Sequence, residues 1–139
     1  MLKHSLSILA LLTALLSASA QAGVAVIVHP SNDSALDVAA INRIFTGKEK
    51  AFTNGNKVIP IGQEATSPAT DEFNEKVLNK TAAQLKAYWS KLVFTGKGTP
   101  PKEVSNDAEV IKLVAANPDT IGYVSSSAVD GSVKVIQEF

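Results

Sequence analysis

Val58-Ile-Pro-Ile-Gly-Gln-Glu-Ala-Thr-Ser-Pro-Ala-Thr-Asp-Glu-Phe73 reads as a short strand, a polar loop and the first turn of a helix in immediate succession. Ser67 stands where an N-cap belongs, and Pro68 follows at the first helical position, where its missing N–H costs nothing. A helix that starts this way turns unpaired backbone N–H groups and the positive end of its dipole toward the loop, a generic anion site. The Ser67 and Thr70 hydroxyls and the amides of Ala69 and Thr70 are the candidate donors, with Thr66 as a further hydroxyl. The alternative is that Ser67 simply caps its own helix. Glu64, Asp71 and Glu72 ring the loop with negative charge, which weakens its pull on an anion.

Outward from this stretch, helices and strands alternate. Gly23-Val-Ala-Val-Ile-Val28 is β-branched and nearly continuous, as in a strand buried on both faces. Over 35–45, Leu36, Ala40, Ile41, Ile44 and Phe45 fall on one helical face, and Gly47 is a C-terminal stop. Asn54-Gly55-Asn56 is a tight turn into a strand over 57–61. The helix from Pro68 is expected to reach Leu78 and to bury Phe73, Val77 and Leu78. A helix over 82–94 carries Leu85, Tyr88, Trp89, Leu92 and Val93 at helical spacing, with Trp89 expected in the core or, alternatively, as a stacking platform. Gly96 to Pro101 is a loop, and Asn106 caps a helix over 107–117. Ile121-Gly-Tyr-Val124 and Ser132-Val-Lys-Val-Ile136 are the last strands. The pattern predicts an α/β fold, a sheet with helices on its faces, in one domain over 23–139.

The first 22 residues read as an export signal. Met1-Leu-Lys-His4 is a basic start, an uncharged apolar run follows over 5–16, and Ala20-Gln-Ala22 is a small-x-small cleavage site. The run is well short of the ~20 residues that span a bilayer, so stable membrane insertion is not expected. Cleavage after Ala22 leaves 117 of the 139 residues, and Ala20 is a competing site. A periplasmic location follows. The remaining 12 basic and 13 acidic residues offer no basic excess, which argues against nucleic acid as a partner. There is no cysteine, so no disulfide supports the fold.

Catalytic chemistry finds little to stand on. His29 is the one histidine after the leader, and it closes a strand before Pro30, where a structural role is expected. No base lies in reach of a serine in the pattern, so no activated nucleophile is read. Neither enzymatic activity, nor a metal, nor a cofactor is expected.

Taken in order, Val26-Ile-Val-His-Pro30, Ile41-Asn-Arg-Ile-Phe-Thr-Gly-Lys48, Asn54-Gly55, the stretch from Ser67 to Phe73, Tyr88-Trp89, Phe94-Thr-Gly-Lys-Gly-Thr-Pro-Pro101 and Ile121-Gly-Tyr-Val124 form a series. It resembles the phosphate-binding-protein-like group of type 2 periplasmic substrate-binding domains, related to the solute receptors of phosphate ABC transporters. The resemblance covers nearly all of 23–139 and implies a single lobe of that α/β fold, with a mixed sheet flanked by helices. In the family's phosphate loop an arginine precedes a Ser-Gly-Thr run, and an aromatic follows. Here Ser67 and Phe73 match, Pro68 and Ala69 replace the glycine and threonine, and Gln63 stands at the arginine position. The loss of a bidentate, charge-assisted contact lowers the affinity the resemblance implies.

The resemblance therefore implies reversible, weak binding of phosphate or another small oxyanion by Gln63, Thr66, Ser67, Ala69 and Thr70. The partner it implies is an ABC permease. The rival expectation is an interaction module that kept the fold, lost the ligand and docks a periplasmic sensor, a membrane protein or a second copy of itself.

Overall fold

Strand β1 (Val24–Val28) is buried at every position. Its side chains alternate between two cores: Val24, Val26 and Val28 enter one, Ala25 and Ile27 the other. This accounts for the unbroken apolar run, since a strand covered on both faces has no polar side to show. The structure is a computed structural model and describes residues 23–139. The expected leader and its cleavage point lie outside the described residues.

The sheet has five strands in the order β3-β2-β4-β1-β5, with β2 over Ile59–Gln63, β3 over Lys102–Val104, β4 over Thr120–Ser125 and β5 over Lys134–Glu138. β1 runs antiparallel to both β4 and β5, whereas β2 is parallel to β3 and β4. The mixed α/β architecture with flanking helices is the one expected. On one face lie α1 (Val38–Phe45) and α2 (Pro68–Phe73), the latter running on into a π-helical turn at Asn74–Leu78. Phe45, Phe73, Val77 and Leu78 fill that core with Tyr123. On the other face, α4 (Asp107–Ala116) drives Val110 and Val114 against Ile27, Ile61 and Val124. Gly122 allows the close approach, because a Cβ there would meet Val110 Cγ1 at 2.5 Å. The remaining helix, α3 (Ala82–Phe94), begins with a capping box between Thr81 and Gln84.

Several boundaries differ from expectation for local reasons. α1 begins at Val38, because the Asp37 carboxylate accepts from the Ala40 amide at 2.8 Å and fixes the cap there. β2 starts two residues late, since Lys57 bridges back to Ala51 across the Asn54-Gly55 turn. β5 starts at Lys134 because the Asp130 carboxylate holds the Ser132 amide at 2.9 Å in a turn. β3 has no counterpart among the expected elements; it is a three-residue edge strand paired with Ile61, Gly62 and Gln63.

The largest correction concerns α3. None of its side chains is buried, and Trp89 is half-buried against Gly47 and Gly98. It does not enter the core. Of the residues at helical spacing, Leu85 packs on the core, whereas Val93 is exposed. No helix among the described residues is long and apolar enough to cross a membrane.

Candidate functional site

The carboxyl ends of β2, β3 and β4 open on one edge of the sheet, the place where open α/β sheets hold ligands. Gln63 ends β2 there, and Asp107 opens α4 just past the end of β3. Tyr123 lies on β4. These three residues and the start of α2 form one polar cluster.

Gln63 is 2% exposed, and its whole carboxamide is engaged. Nε2 donates to Asp107 Oδ1 at 2.8 Å and to the Tyr123 carbonyl at 2.8 Å, which uses both of its N–H groups. Oε1 accepts from the Ser67 hydroxyl. The Gln63 backbone N–H donates to the Tyr123 phenol oxygen at 3.1 Å. A buried amide must find such partners, because leaving them unmade costs ~1–3 kcal/mol per group.

Ser67 has the extended backbone of an N-cap, with φ −73° and ψ 132°, but its hydroxyl makes no capping bond to α2. It turns inward to Gln63 instead. Thr70 donates to the Glu64 carbonyl at 2.8 Å and receives the Tyr123 phenol proton at 3.3 Å. Backbone bonds engage the Ser67 amide with the Glu64 carbonyl at 3.0 Å and the Thr70 amide with the Ser67 carbonyl at 3.1 Å. Ala69 is buried beneath the turn, and Thr66 is exposed at the loop tip. The structure thus gathers Gln63, Ser67, Ala69 and Thr70 and leaves Thr66 at the rim.

Asp107 and Tyr123 were missed as members of this cluster. Asp107 sits beside a clear N-cap and Tyr123 within a clear strand, so each already had a complete local explanation. Asp107 Oδ1 also accepts from the Ser125 amide at 3.1 Å, tying α4 to the end of β4. The Tyr123 phenol has its pKa raised by burial, an effect countered by its hydrogen bonds to Thr70 and Gln63. It remains a neutral donor. Its ring stacks on Phe73 at 4.0 Å with planes 8° apart, and Phe45 meets Phe73 edge-on at 4.7 Å.

A cleft of about 830 Å³ opens beside the cluster, between α3 and the β2–β3 edge. Gln63, Thr70, Phe73 and Glu103 line one side, and Trp89 and Phe94 the other. His29, at the far end of β1, accepts the Ser31 amide at Nδ1 over 3.1 Å, a local turn contact.

The five-stranded mixed sheet with its flanking helices is an α/β fold of the periplasmic-binding-protein kind. Solved structures share it. An ABC-type phosphate transport receptor from Vibrio cholerae superposes with a TM-score of 0.66 at 21% identity, over 84% of this chain and 46% of its own. A phosphate ABC transporter substrate-binding protein from Clostridium perfringens, solved with bound phosphate, gives 0.67 at 25% identity over 84% and 44%. PstS from Borrelia burgdorferi gives 0.61 at 16% identity over 84% and 47%. The chain spans less than half the length of each of these proteins. No protein-family model matches the chain. No curated protein matches it at a significant level.

Proposed function

We propose that this chain is an exported, periplasmic solute-binding-like protein that binds phosphate or a related oxyanion reversibly and weakly, without chemistry. The observation that carries the reading is the placement of Ser67, Ala69 and Thr70 at the start of α2, on the carboxyl edge of the sheet, in a fold shared with a receptor solved with phosphate. The loop offers the Thr66 hydroxyl at its rim. The Ser67 and Thr70 hydroxyls join only by leaving Gln63 and the Glu64 carbonyl. Each exchange trades one hydrogen bond for another, and the neighbouring carboxylates of Glu64 and Asp107 repel an anion. Affinity in the millimolar range, about −4 kcal/mol, is the expected outcome.

Isothermal titration with phosphate and sulfate tests this. Saturable heat with phosphate, reduced by Ser67→Ala, supports it, and no heat at millimolar ligand overturns it. By analogy with the ABC-transporter proteins it superposes on, an ABC permease is the downstream partner.

One observation favours a second reading. The Gln63 carboxamide is fully committed to Asp107, Tyr123 and Ser67. A cluster closed on itself in this way serves a module that keeps the fold for contact with another protein. Retention on an immobilised periplasmic sensor or permease domain, with no anion heat, is the result expected of such a module.

A further inference from the structure

Helix α3 has 13 residues and buries none of them. Isolated helices of that length are marginal in water, so what covers the faces of α3 decides its stability. One face is accounted for: the Tyr88 phenol donates to the Thr46 carbonyl at 2.6 Å, Leu85 packs on the core, and a Cβ on Gly47 would lie 3.1 Å from the Trp89 ring. The C-terminal end is not. Val93 is 55% exposed and Phe94 91% exposed, both at the mouth of the apolar cleft.

Charge divides this surface in two. α3 itself carries Lys86 and Lys91 and no acid. Residues 58–75, across the cleft, hold Glu64, Asp71, Glu72 and Glu75 and no base, and Glu103 stands on the same side. Lys76 pairs with Glu72 at 3.0 Å one turn away on the same helix, so this ion pair does not span the cleft. Lys86 and Glu103 both line the cleft and do not pair with each other.

We propose that this face binds a second copy of the chain, across a two-fold axis, with the Val93–Phe94 end of each α3 seated in the other's cleft. The surface carries both halves of the contact: an apolar projection and an apolar cavity, with Lys86 on one wall and Glu103 on the other. Such self-complementarity is what a two-fold interface requires. An acidic protein or an anionic bilayer would match the lysines and be repelled by Glu64, Asp71 and Glu103. A small apolar ligand would fill the cleft and leave Phe94 in water. The second copy satisfies all four features.

This inference goes beyond anion binding, and it deepens the interaction-module reading, on which it rests for its partner class. Its readout is separate: association is read by sedimentation, anion binding by heat. A monomer that still binds a sensor domain keeps that reading and overturns this one.

The test is sedimentation velocity over a wide range of protein concentration, at about 0.1 M and about 1 M salt, across which the Debye length falls from about 10 to about 3 Å. A concentration-dependent dimer is expected, weakened at least ten-fold by Phe94→Ser. Phe94 touches little of its own fold, so that variant keeps the parent's melting temperature. Lys86→Glu and Glu103→Lys each weaken self-association, whereas an equimolar mixture of the two variants restores it as a heterodimer. A strict monomer at all concentrations, a dimer indifferent to Phe94→Ser, or a monomer that instead binds anionic phosphatidylglycerol vesicles through α3 overturns the proposal.

Discussion

Gln63 and Asp107 are joined by a 2.8 Å hydrogen bond that links the end of β2 to the first turn of α4. The same Asp107 oxygen receives the Ser125 amide at 3.1 Å, so one carboxylate oxygen pins three elements together. Asp107→Ala removes the acceptor for a buried side-chain N–H and for a backbone N–H at the end of β4. A loss of roughly 1–3 kcal/mol is expected. In urea the midpoint falls while the denaturant slope stays unchanged.

Gln63→Arg tests whether the cluster can become a charged anion site. The guanidinium has five donors, enough to keep Asp107 and still offer a fork toward the start of α2. Titration with phosphate is expected to show at least ten-fold tighter binding than the parent, which corresponds to about 1.4 kcal/mol. No gain in heat would show that the opening beside Ser67 is too closed to admit an oxyanion.

Gly122→Ala places a Cβ 2.5 Å from Val110 Cγ1, inside the contact that seats α4 on the sheet. Valine is stiff at χ1 and Gly122 lies on a fully buried strand segment, so the helix itself must shift. Overpacking of this kind costs about 1–3 kcal/mol. Thermal unfolding followed by circular dichroism should fall by several degrees, and the companion change Val110→Ala should recover part of the loss.

Tyr123 sets the alkaline limit. Burial raises its pKa above the ordinary value of about 10. Between the unfolded and folded values the unfolded chain has lost this proton and the folded chain keeps it, so stability falls as pH rises. The contribution is whole below about pH 10 and is lost as pH passes through the folded value. Denaturant midpoints measured from pH 8 upward should decline beyond pH 10 in the parent, and less steeply in Tyr123→Phe.

Most of the architecture was legible because local signals and burial agreed. The run from Val24 to Val28, the Asn106 cap and the buried Phe73, Val77 and Leu78 each follow from periodicity or side-chain chemistry that the tertiary structure leaves intact. β3 was not legible. Its three residues lack an apolar pattern, and their strand form comes from pairing with Ile61 to Gln63. The site was half legible for a related reason. Ser67, Ala69 and Thr70 were found from the helix start, whereas Tyr123, which engages Thr70, and Asp107, which engages Gln63, lie far along the chain. Trp89 and Val93 misled because helical spacing says which residues share a face, not whether anything covers it.

The position of β1 has a consequence for how the chain reaches its fold. Val24 pairs with Ser125 and Ala25 with Glu138, so the first strand has no sheet partner until the last two exist. Closing loops of that length is entropically unfavourable before the contacts can compensate, which slows folding. The apolar segment over 24–28 therefore waits exposed while the rest of the chain is made. Shielding of this stretch by a chaperone is expected to limit its early self-association and aggregation.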